Sequence, residues 1–394
     1  MKAETFRVAR QLIDDFPRSS DPLGLMGTVY RQYGDTAEAV TWWRKCLERN
    51  PRRADVYNGL AMVALSKGEH ENAVELWRKA LQMDPSLPGV HGRCASALLT
   101  LGKPEEAVAT LETGIKIFPE DGENHYLLGQ ACLQMKQHAK AAGAYQKALE
   151  LMPDDSRACY GLALACSRLG QEDKAKGYMD RFRKMREAEE SASSGRRKAQ
   201  PDRRWAAQVL ADTLANAGRV YRAHGRWPKA EEHWRRAATL DPENTACRQD
   251  LVDLLLQARR GREAVEFCQQ LRTINPRNAT YHLNTGVLFA LLGQHDAAEE
   301  AIRQGIALAP TRASGLRSLA QVLLRRNEKQ GEAKAIAQKL VAVEPAAQNY
   351  ALLAEACYRN GDLADARAAL DQAAKLSRWD PEYLRVRDLI EERK

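Results

Sequence analysis

Proline recurs every thirty-four residues along most of this 394-residue chain. The recurring positions are Pro17, Pro51, Pro85, Pro119, Pro153, Pro242, Pro276 and Pro310, with Pro345 one residue late. A fixed period of this size is typical of a chain built from repeated supersecondary units, because one such unit cannot bury its apolar face alone. The sequence therefore predicts a stack of similar units instead of one large core.

Other residue types keep the same period. Small residues recur as Gly27, Ala61, Ala95, Gly129, Ala163, Gly218 and Gly286, and again as Ala39, Ala73, Ala107, Ala141, Ala175, Ala230, Ala264 and Ala298. Turn glycines recur as Gly34, Gly68, Gly102, Gly170, Gly225, Gly293 and Gly361. Bulky residues recur as Trp43, Trp77, Leu111, Tyr145, Met179, Trp234 and Ile302. Each unit thus carries the same small, large and turn-forming markers.

These markers have a mechanical interpretation. Apolar residues spaced i, i+3, i+4 and i+7 on both sides of the glycine predict two helices, and the glycine ends the first helix with a positive φ. Proline ends the second helix and starts the next unit. The small residues allow the two helices to touch closely, and the large residue fills the gap between neighbouring units.

The pattern resembles the tetratricopeptide repeat family, whose unit of about 34 residues carries small, aromatic, alanine and proline markers at these offsets. The resemblance covers nearly the whole chain. It implies an all-α fold, a right-handed α-solenoid superhelix in which the first helix of each pair lines a concave face and the second helix lies outside. It also implies that ligands lie along the first helices.

The markers place about ten repeats in two halves. Their expected bounds are 20–53, 54–87, 88–121, 122–155, 156–190, 211–244, 245–278, 279–312, 313–346 and 347–380. A half-repeat or capping helix precedes them at 2–17, and a second capping helix follows at 381–394. The predicted domains are an N-terminal array at 1–190, a basic Ser/Gly-rich connector at 191–203 and a C-terminal array at 204–394.

The period fails between Pro153 and Pro242. The segment EAEESASSGRRKAQPDRR has no apolar periodicity and predicts an exposed connector. From Trp205 to Ala223 the pattern indicates one long helix whose N-terminal extension docks on the preceding half. Two turns also depart from the pattern, since Lys136 replaces a turn glycine and Gly261 stands two places late.

No recognisable catalytic, phosphate-binding or metal motif occurs in the sequence. His91, His125 and His282 share one register position, where packing between helices is the simplest interpretation. His91 and Cys94 lie i, i+3 on one helix, but two ligands are too few for zinc. Interior cysteines are expected at Cys132, Cys159, Cys166 and Cys357. We therefore expect no enzyme activity, no metal and no cofactor.

Two stripes of side chains are candidates for binding a partner on the concave face. The N-terminal stripe is mostly apolar and consists of Leu65, Leu99, Leu133, Met62, Tyr126 and Tyr160. The C-terminal stripe is polar and consists of Asn216, Arg219, Asp250, Asn284, Arg317 and Ser318. Leucines suit an apolar helix, and amides suit the backbone of an extended peptide. Packing of the leucines and solvation of the polar stripe remain alternative interpretations.

Some members of the family bind acidic C-termini through a clamp of Lys and Asn residues. This clamp is absent, because other residues stand at its expected positions, namely Gly24 and Thr28, Asn58 and Met62, and Gln249 and Asp253. The sequence thus does not indicate a chaperone-tail cochaperone. The chain carries a formal charge of +8, of which the stretch from Lys174 to Arg204 supplies most. A solvated linker is the plain interpretation of this stretch.

We expect a non-catalytic scaffold or adaptor that binds a protein or peptide partner in its groove. One alternative is nucleic-acid or acidic-surface binding through Arg196, Arg197, Lys198, Arg203 and Arg204. Another is the regulatory or targeting arm of a larger enzyme. No membrane-spanning stretch occurs, and the N-terminus lacks a signal peptide pattern. A cytoplasmic location is expected, with a periplasmic one as the alternative if a segment precedes Met1. The sequence leaves the oligomeric state open.

Overall fold

A computed structural model describes residues 1–196, 201–326 and 329–391, with the side chains of 192–196 and 201–202 left out of the description. The chain divides into two units, Met1–Val220 and Tyr221–Lys394, called here the N-terminal and C-terminal units. Within the described residues all regular structure is α-helical, as predicted, and strands are absent. None of the helices in these ranges is long and apolar enough to span a membrane.

Twenty-two helices occupy the described ranges. The first twelve are α1 (Lys2–Asp15), α2 (Asp21–Gln32), α3 (Thr36–Arg49), α4 (Ala54–Ser66), α5 (His70–Met83), α6 (Val90–Thr100), α7 (Pro104–Ile117), α8 (Gly122–Gln134), α9 (His138–Leu151), α10 (Ser156–Arg168), α11 (Glu172–Arg196) and α12 (Pro201–Ala223). The others are α13 (Trp227–Leu240), α14 (Thr245–Gln257), α15 (Gly261–Ile274), α16 (Ala279–Leu291), α17 (His295–Leu308), α18 (Ala313–Arg326), α19 (Gln330–Val343), α20 (Ala347–Arg359), α21 (Leu363–Leu376) and α22 (Pro381–Glu391).

The helices from α2 to α21 alternate as the first (even-numbered) and second (odd-numbered) helices of ten successive repeats. First helices of neighbouring repeats also touch. In the N-terminal unit α8 contacts both α6 and α10, and in the C-terminal unit α18 contacts both α16 and α20. Several first helices begin after a residue whose side chain caps the backbone N–H groups of the first turn. Asp121, Asp155, Asn244 and Asn278 accept such bonds.

The turn between the two helices of a pair needs a left-handed residue, as predicted. The turn glycines have φ between 69° and 90°. Lys136 takes this place in the fourth repeat with φ 58°. In the seventh repeat Arg259 takes the same place with φ 58°, and Gly261, which stands two places late in the sequence pattern, is the first residue of α15.

The large residue of the first repeat lies between its own first helix and the next, as predicted. A Cβ added at Gly27 would lie 2.4 Å from the Trp43 ring, and one added at Gly59 in the next repeat would lie 2.7 Å from the same ring. The tryptophan is 2% exposed. The missing side chains of the two glycines therefore leave the space that this ring fills.

The predicted connector at 191–203 is corrected, because α11 continues to Arg196 and α12 begins at Pro201. Glu, Ala, Lys and Arg favour a helix, and Arg186 forms pairs with Glu189 and Glu190 on α11. Residues 197–200 lie outside the description, so only the ends of the connector are placed.

The long helix α12 docks on the N-terminal unit through its first turns, as predicted. The Trp205 ring lies edge-on to the Tyr33 ring, with centroids 5.4 Å apart. The two units therefore meet in sequence within α12, at residues 220 and 221, and not at the connector. The capping helices are present as α1 and α22, and α22 buries Val386 and Ile390 against α20 and α21.

Candidate peptide-binding faces

The leucine stripe of the N-terminal unit lies largely within the packing between helices. Leu65, Leu99 and Leu133 occupy equivalent positions on α4, α6 and α8. Leu99 is only 7% exposed and belongs to the core around Trp77, against which Leu65 also packs. Leu133 is partly buried against the next core cluster. These side chains therefore offer less free surface than the sequence suggests.

Aromatic residues supply the more accessible part of the same stripe. Tyr160 is 46% exposed, and its ring lies 5.2 Å from that of Phe182. The Arg157 guanidinium lies 4.5 Å from the centroid of the Tyr126 ring and donates hydrogen bonds to Glu123. Burial raises the pKa of the Tyr126 phenol. Met62 is partly buried beside the core that contains Leu99.

The structure divides the predicted polar stripe between the two units. Asn216 and Arg219 lie on the part of α12 that belongs to the N-terminal unit, where Arg219 donates a hydrogen bond of 3.1 Å to the Asn216 side-chain oxygen. Asp250 is 8% exposed and faces Arg222 at 3.5 Å. Asn284 is exposed and Ser318 is half-buried.

Arg317 is the sixth member of the polar stripe, and one of its two partners lies in the next repeat. It donates hydrogen bonds to the side chains of Asn349 at 2.9 Å and Glu344 at 2.8 Å. The guanidinium of Arg317 is therefore held in place between two successive repeats.

Exposed apolar side chains on α14 and α16 were missed by the sequence analysis. Leu256 and Val287 are each 40% exposed and Leu291 is 65% exposed. Asn284, Val287 and Leu291 are spaced i, i+3 and i+7, so they share one face of α16. Reading three and seven residues beyond the predicted asparagine would have found this face.

The first helices α14 and α16 meet on this side of the C-terminal unit. Gln249 of α14 donates a hydrogen bond of 3.2 Å to the hydroxyl of Tyr281 of α16. Asp253 follows Gln249 by one turn and is exposed. Partial desolvation of its carboxyl group by the neighbouring protein atoms, together with the negative charge of Asp250, raises the pKa of Asp253.

The histidine register has a packing role, as interpreted from the sequence. In each case ring Nε2 lies near the carbonyl oxygen of the proline six residues earlier, at 2.8 Å for His91, 3.1 Å for His125 and 2.8 Å for His282. Arg248 holds the same register and donates to the carbonyl oxygens of Ala238, Asp241 and Asn244. This register therefore ties these four first helices to the turns before them.

All eight cysteines are buried free thiols. Burial raises the pKa of Cys94, Cys247 and Cys268 to about 11 in each case. Such thiols are protonated at neutral pH and are poor nucleophiles. Of the predicted basic residues, Arg203 and Arg204 are exposed, the side chain of Arg196 is not described, and Arg197 and Lys198 lie outside the described residues.

Comparison with known proteins identifies the repeat. Profiles described as "Tetratricopeptide repeat" match residues 25–88, 64–131, 122–155, 221–286, 279–312 and 350–372, which together exceed half of the chain. No curated protein matched the chain.

Solved structures give matches of low identity. A MamA crystal structure is 23% identical over 42% of this chain and 97% of that one, with a TM-score of 0.40. PilF of Pseudomonas aeruginosa is 22% identical over 64% and 99%, with a TM-score of 0.37. Yeast Tom70 is 16% identical over 96% of both chains, with a TM-score of 0.38. On the profile matches and the ten successive two-helix repeats, the chain belongs to the tetratricopeptide repeat family.

Proposed function

We propose that the protein is a non-catalytic scaffold that binds an extended peptide of a protein partner along the first helices of its C-terminal unit. The observation that carries this proposal is the exposed face of α14 and α16. On it, exposed Leu256, Val287 and Leu291 alternate with the polar side chains of Asp253 and Asn284. Binding there would bring the partner to a larger assembly without changing it chemically.

The chemistry of this face suits an extended peptide. The Asn284 amide both donates and accepts, so it can pair with a peptide backbone whatever the peptide's side chains are. Val287 and Leu291 supply apolar surface that a hydrophobic side chain of the peptide would cover. Single exposed leucines are ordinary, but Val287 and Leu291 share one face of α16, and Leu256 lies exposed on the first helix before it.

The N-terminal stripe takes a smaller part in this proposal. Leu99 is nearly inaccessible, and Leu65 and Leu133 already pack within their own unit. Tyr126 and Tyr160 are the side chains through which that unit would contact a partner. The unit's main contribution is then structural, and the selective contacts lie on the C-terminal unit.

The test pairs a face variant with a control variant at two other exposed apolar positions. The face variant carries Val287→Asp and Leu291→Asp. The control carries Leu308→Asp and Val343→Asp, which lie at the ends of the second helices α17 and α19 and are 43% and 44% exposed. All four positions are exposed, so we expect circular dichroism melting to be nearly unchanged in both variants.

Peptides selected from a random library on the immobilised full chain are labelled, and their affinity is measured by fluorescence anisotropy. We expect the face variant to lose at least about tenfold in affinity, which is roughly 1.4 kcal/mol, and the control to stay near wild type. Equal binding by wild type and the face variant would contradict the proposal. So would equal loss in the control.

A further inference from the structure

A cavity of about 410 Å³ lies between α18, α20 and α22 in the C-terminal unit. Its charged lining consists of Arg317, Arg325, Arg359, Arg385, Glu355 and Glu382. These residues come from two first helices and from the capping helix that follows them. The cavity is therefore built on the same kind of helix as the proposed peptide face.

The charges of the lining leave the cavity positive. Four guanidinium groups face two carboxylates in the lining, and Glu344 outside the lining pairs with Arg317 at 2.8 Å, so one positive charge has no carboxylate counterpart among these residues. A concave site lined mainly by one sign of charge raises the local concentration of ions of the opposite sign. The balance favours a ligand that carries negative charge.

Glu355 holds two of the arginines in place. Its side chain is only 6% exposed, and it pairs with Arg359 at 2.7 Å and with Arg385. Arg385 also pairs with Glu382 at 2.9 Å. A guanidinium has five N–H donors, so each of these arginines keeps donors for a further acceptor. The pairs position the donors before any ligand arrives.

Two more cationic groups complete the lining. Arg317 is fixed by Asn349 and Glu344, as described above. Arg325 is exposed and has no acceptor among the residues that the structure describes. Leu324 and Leu352 add buried apolar walls. The cavity thus offers one uncommitted cation, several positioned donors and an apolar floor.

We propose that this cavity binds a carboxylate of the partner's peptide, from an acidic side chain or from the C-terminus. Planar guanidinium groups match carboxylates because two parallel N–H groups reach two oxygens. The volume lies within the range of small-ligand pockets and accommodates a short acidic stretch. This inference rests on the proposed function and gives the bound peptide a preferred chemistry.

Four labelled peptides test the proposal on the full chain. Each is a ten-residue peptide of alternating leucine with glutamate or glutamine, and each has a free or an amidated C-terminus. We expect the neutral amidated peptide to bind at least about tenfold more weakly than the best charged form, and the difference to shrink between 50 and 300 mM salt. The glutamate peptide with an amidated end and the glutamine peptide with a free end separate side-chain from terminal recognition.

A charge-reversal pair tests the site itself. Arg325→Glu removes the uncommitted cation, and Arg367→Glu makes the same change at an exposed arginine of the second helix α21. We expect Arg325→Glu to lower affinity for the charged peptide about tenfold and Arg367→Glu to leave it within about twofold. Arg385→Gln, which keeps Glu355 paired with Arg359, should lower the affinity for the same charged peptide.

Each contrary outcome identifies what fails. If the neutral peptide binds as tightly as the charged ones, or if Arg325→Glu has no effect, the carboxylate site is wrong. The proposed function then still stands provided that the variant with Val287→Asp and Leu291→Asp binds all four peptides more weakly than wild type does. A labelled 20-nucleotide uridine RNA tests the alternative ligand. If this RNA binds, if Arg325→Glu lowers its affinity, and if none of the peptides binds, the cavity is a nucleic-acid site and the proposal is overturned.

Discussion

At the scale of single residues, the fit between the large residue and its glycines decides how closely neighbouring helices approach. Gly161 of α10 shows this most clearly, because a Cβ there would lie 2.4 Å from the Tyr145 ring. Gly143, in the exposed middle of α9, would place its Cβ in open space. The same residue type is thus required at one position and only tolerated at the other.

Gly161→Ala should therefore destabilise the protein, whereas Gly143→Ala should stabilise it. Overpacking against Tyr145 costs roughly 1–3 kcal/mol. Replacing an exposed helical glycine by alanine gains about 0.5–1 kcal/mol. Thermal and urea unfolding of the two variants provide the measurement. A stabilised Gly161→Ala protein would mean that the Tyr145 ring can move aside.

The markers that set the fold could be predicted at this scale, whereas exposure could not. Turn glycines and bulky residues repeat with the period, so their roles follow from position. Where the glycine departs from the period, as Gly261 does, the periodic place still holds the left-handed residue, which is Arg259. Leu99 and Leu291 are both leucines on first helices, yet one is 7% and the other 65% exposed. Only the neighbouring helices decide that difference.

At the scale of helices, ion pairs join successive repeats of the C-terminal unit. Glu299 of α17 is 7% exposed and accepts hydrogen bonds from Arg303 of the same helix, from Arg326 of α18 and from Lys329 at the start of α19. Burial alone would raise the pKa of Glu299, but the bonds from Lys329 and Arg303 outweigh burial and lower it. The ionised form is therefore the one that stabilises the fold.

Glu299→Gln should destabilise the protein at pH 7 by roughly 1–3 kcal/mol, because three cationic side chains lose the buried negative charge that they share. A carboxyl group whose pKa is lowered in the folded state contributes fully above its ordinary value of 4.5. That contribution is lost as the pH falls below 4.5 through the lowered pKa. The difference in unfolding free energy between wild type and variant should thus be constant near neutrality and narrow in acid.

Urea unfolding at several pH values measures this difference. The control is Glu300→Gln, the exposed neighbour on α17. If the difference in unfolding free energy between wild type and Glu299→Gln stays constant down to pH 3, Glu299 acts through its shape and not through its charge.

Helix order and type could be predicted, but the extent of α11 could not. Ser, Gly and charge indicate a connector by composition, although local pairs such as Arg186 with Glu189 sustain a helix there. Similarly, α22 was predicted only as a cap. Its Arg385 takes part in the cavity through buried Glu355, a contact between helices that no spacing along the chain reveals.

At the scale of the whole molecule, each repeat depends mainly on its neighbours. Trp77 is fully buried in a core that spans α4 to α8, and its ring nitrogen donates to Asn58 at 3.0 Å. In such arrays stability is close to a sum of repeat and nearest-neighbour terms. A lesion should therefore act over a limited distance along the chain.

Trp77→Ala removes roughly 3–5 kcal/mol of packing and should loosen its own region first. Hydrogen exchange followed by mass spectrometry should show faster exchange in α4 to α7, with α16 to α21 unchanged. Trp379→Ala is the control, because Trp379 is 86% exposed and should alter no helix. A uniform loss of protection over both units would show that the chain unfolds as one cooperative body.

The sequestered thiols have a practical consequence for every experiment of this kind. Since all eight native cysteines are buried, we expect the wild-type chain to serve as a background without reactive cysteine. A cysteine introduced on an exposed turn of α16 or α18 would take a maleimide dye or a spin label selectively. Spectroscopic distances between a tagged helix and a tagged ligand are therefore accessible without first replacing native side chains.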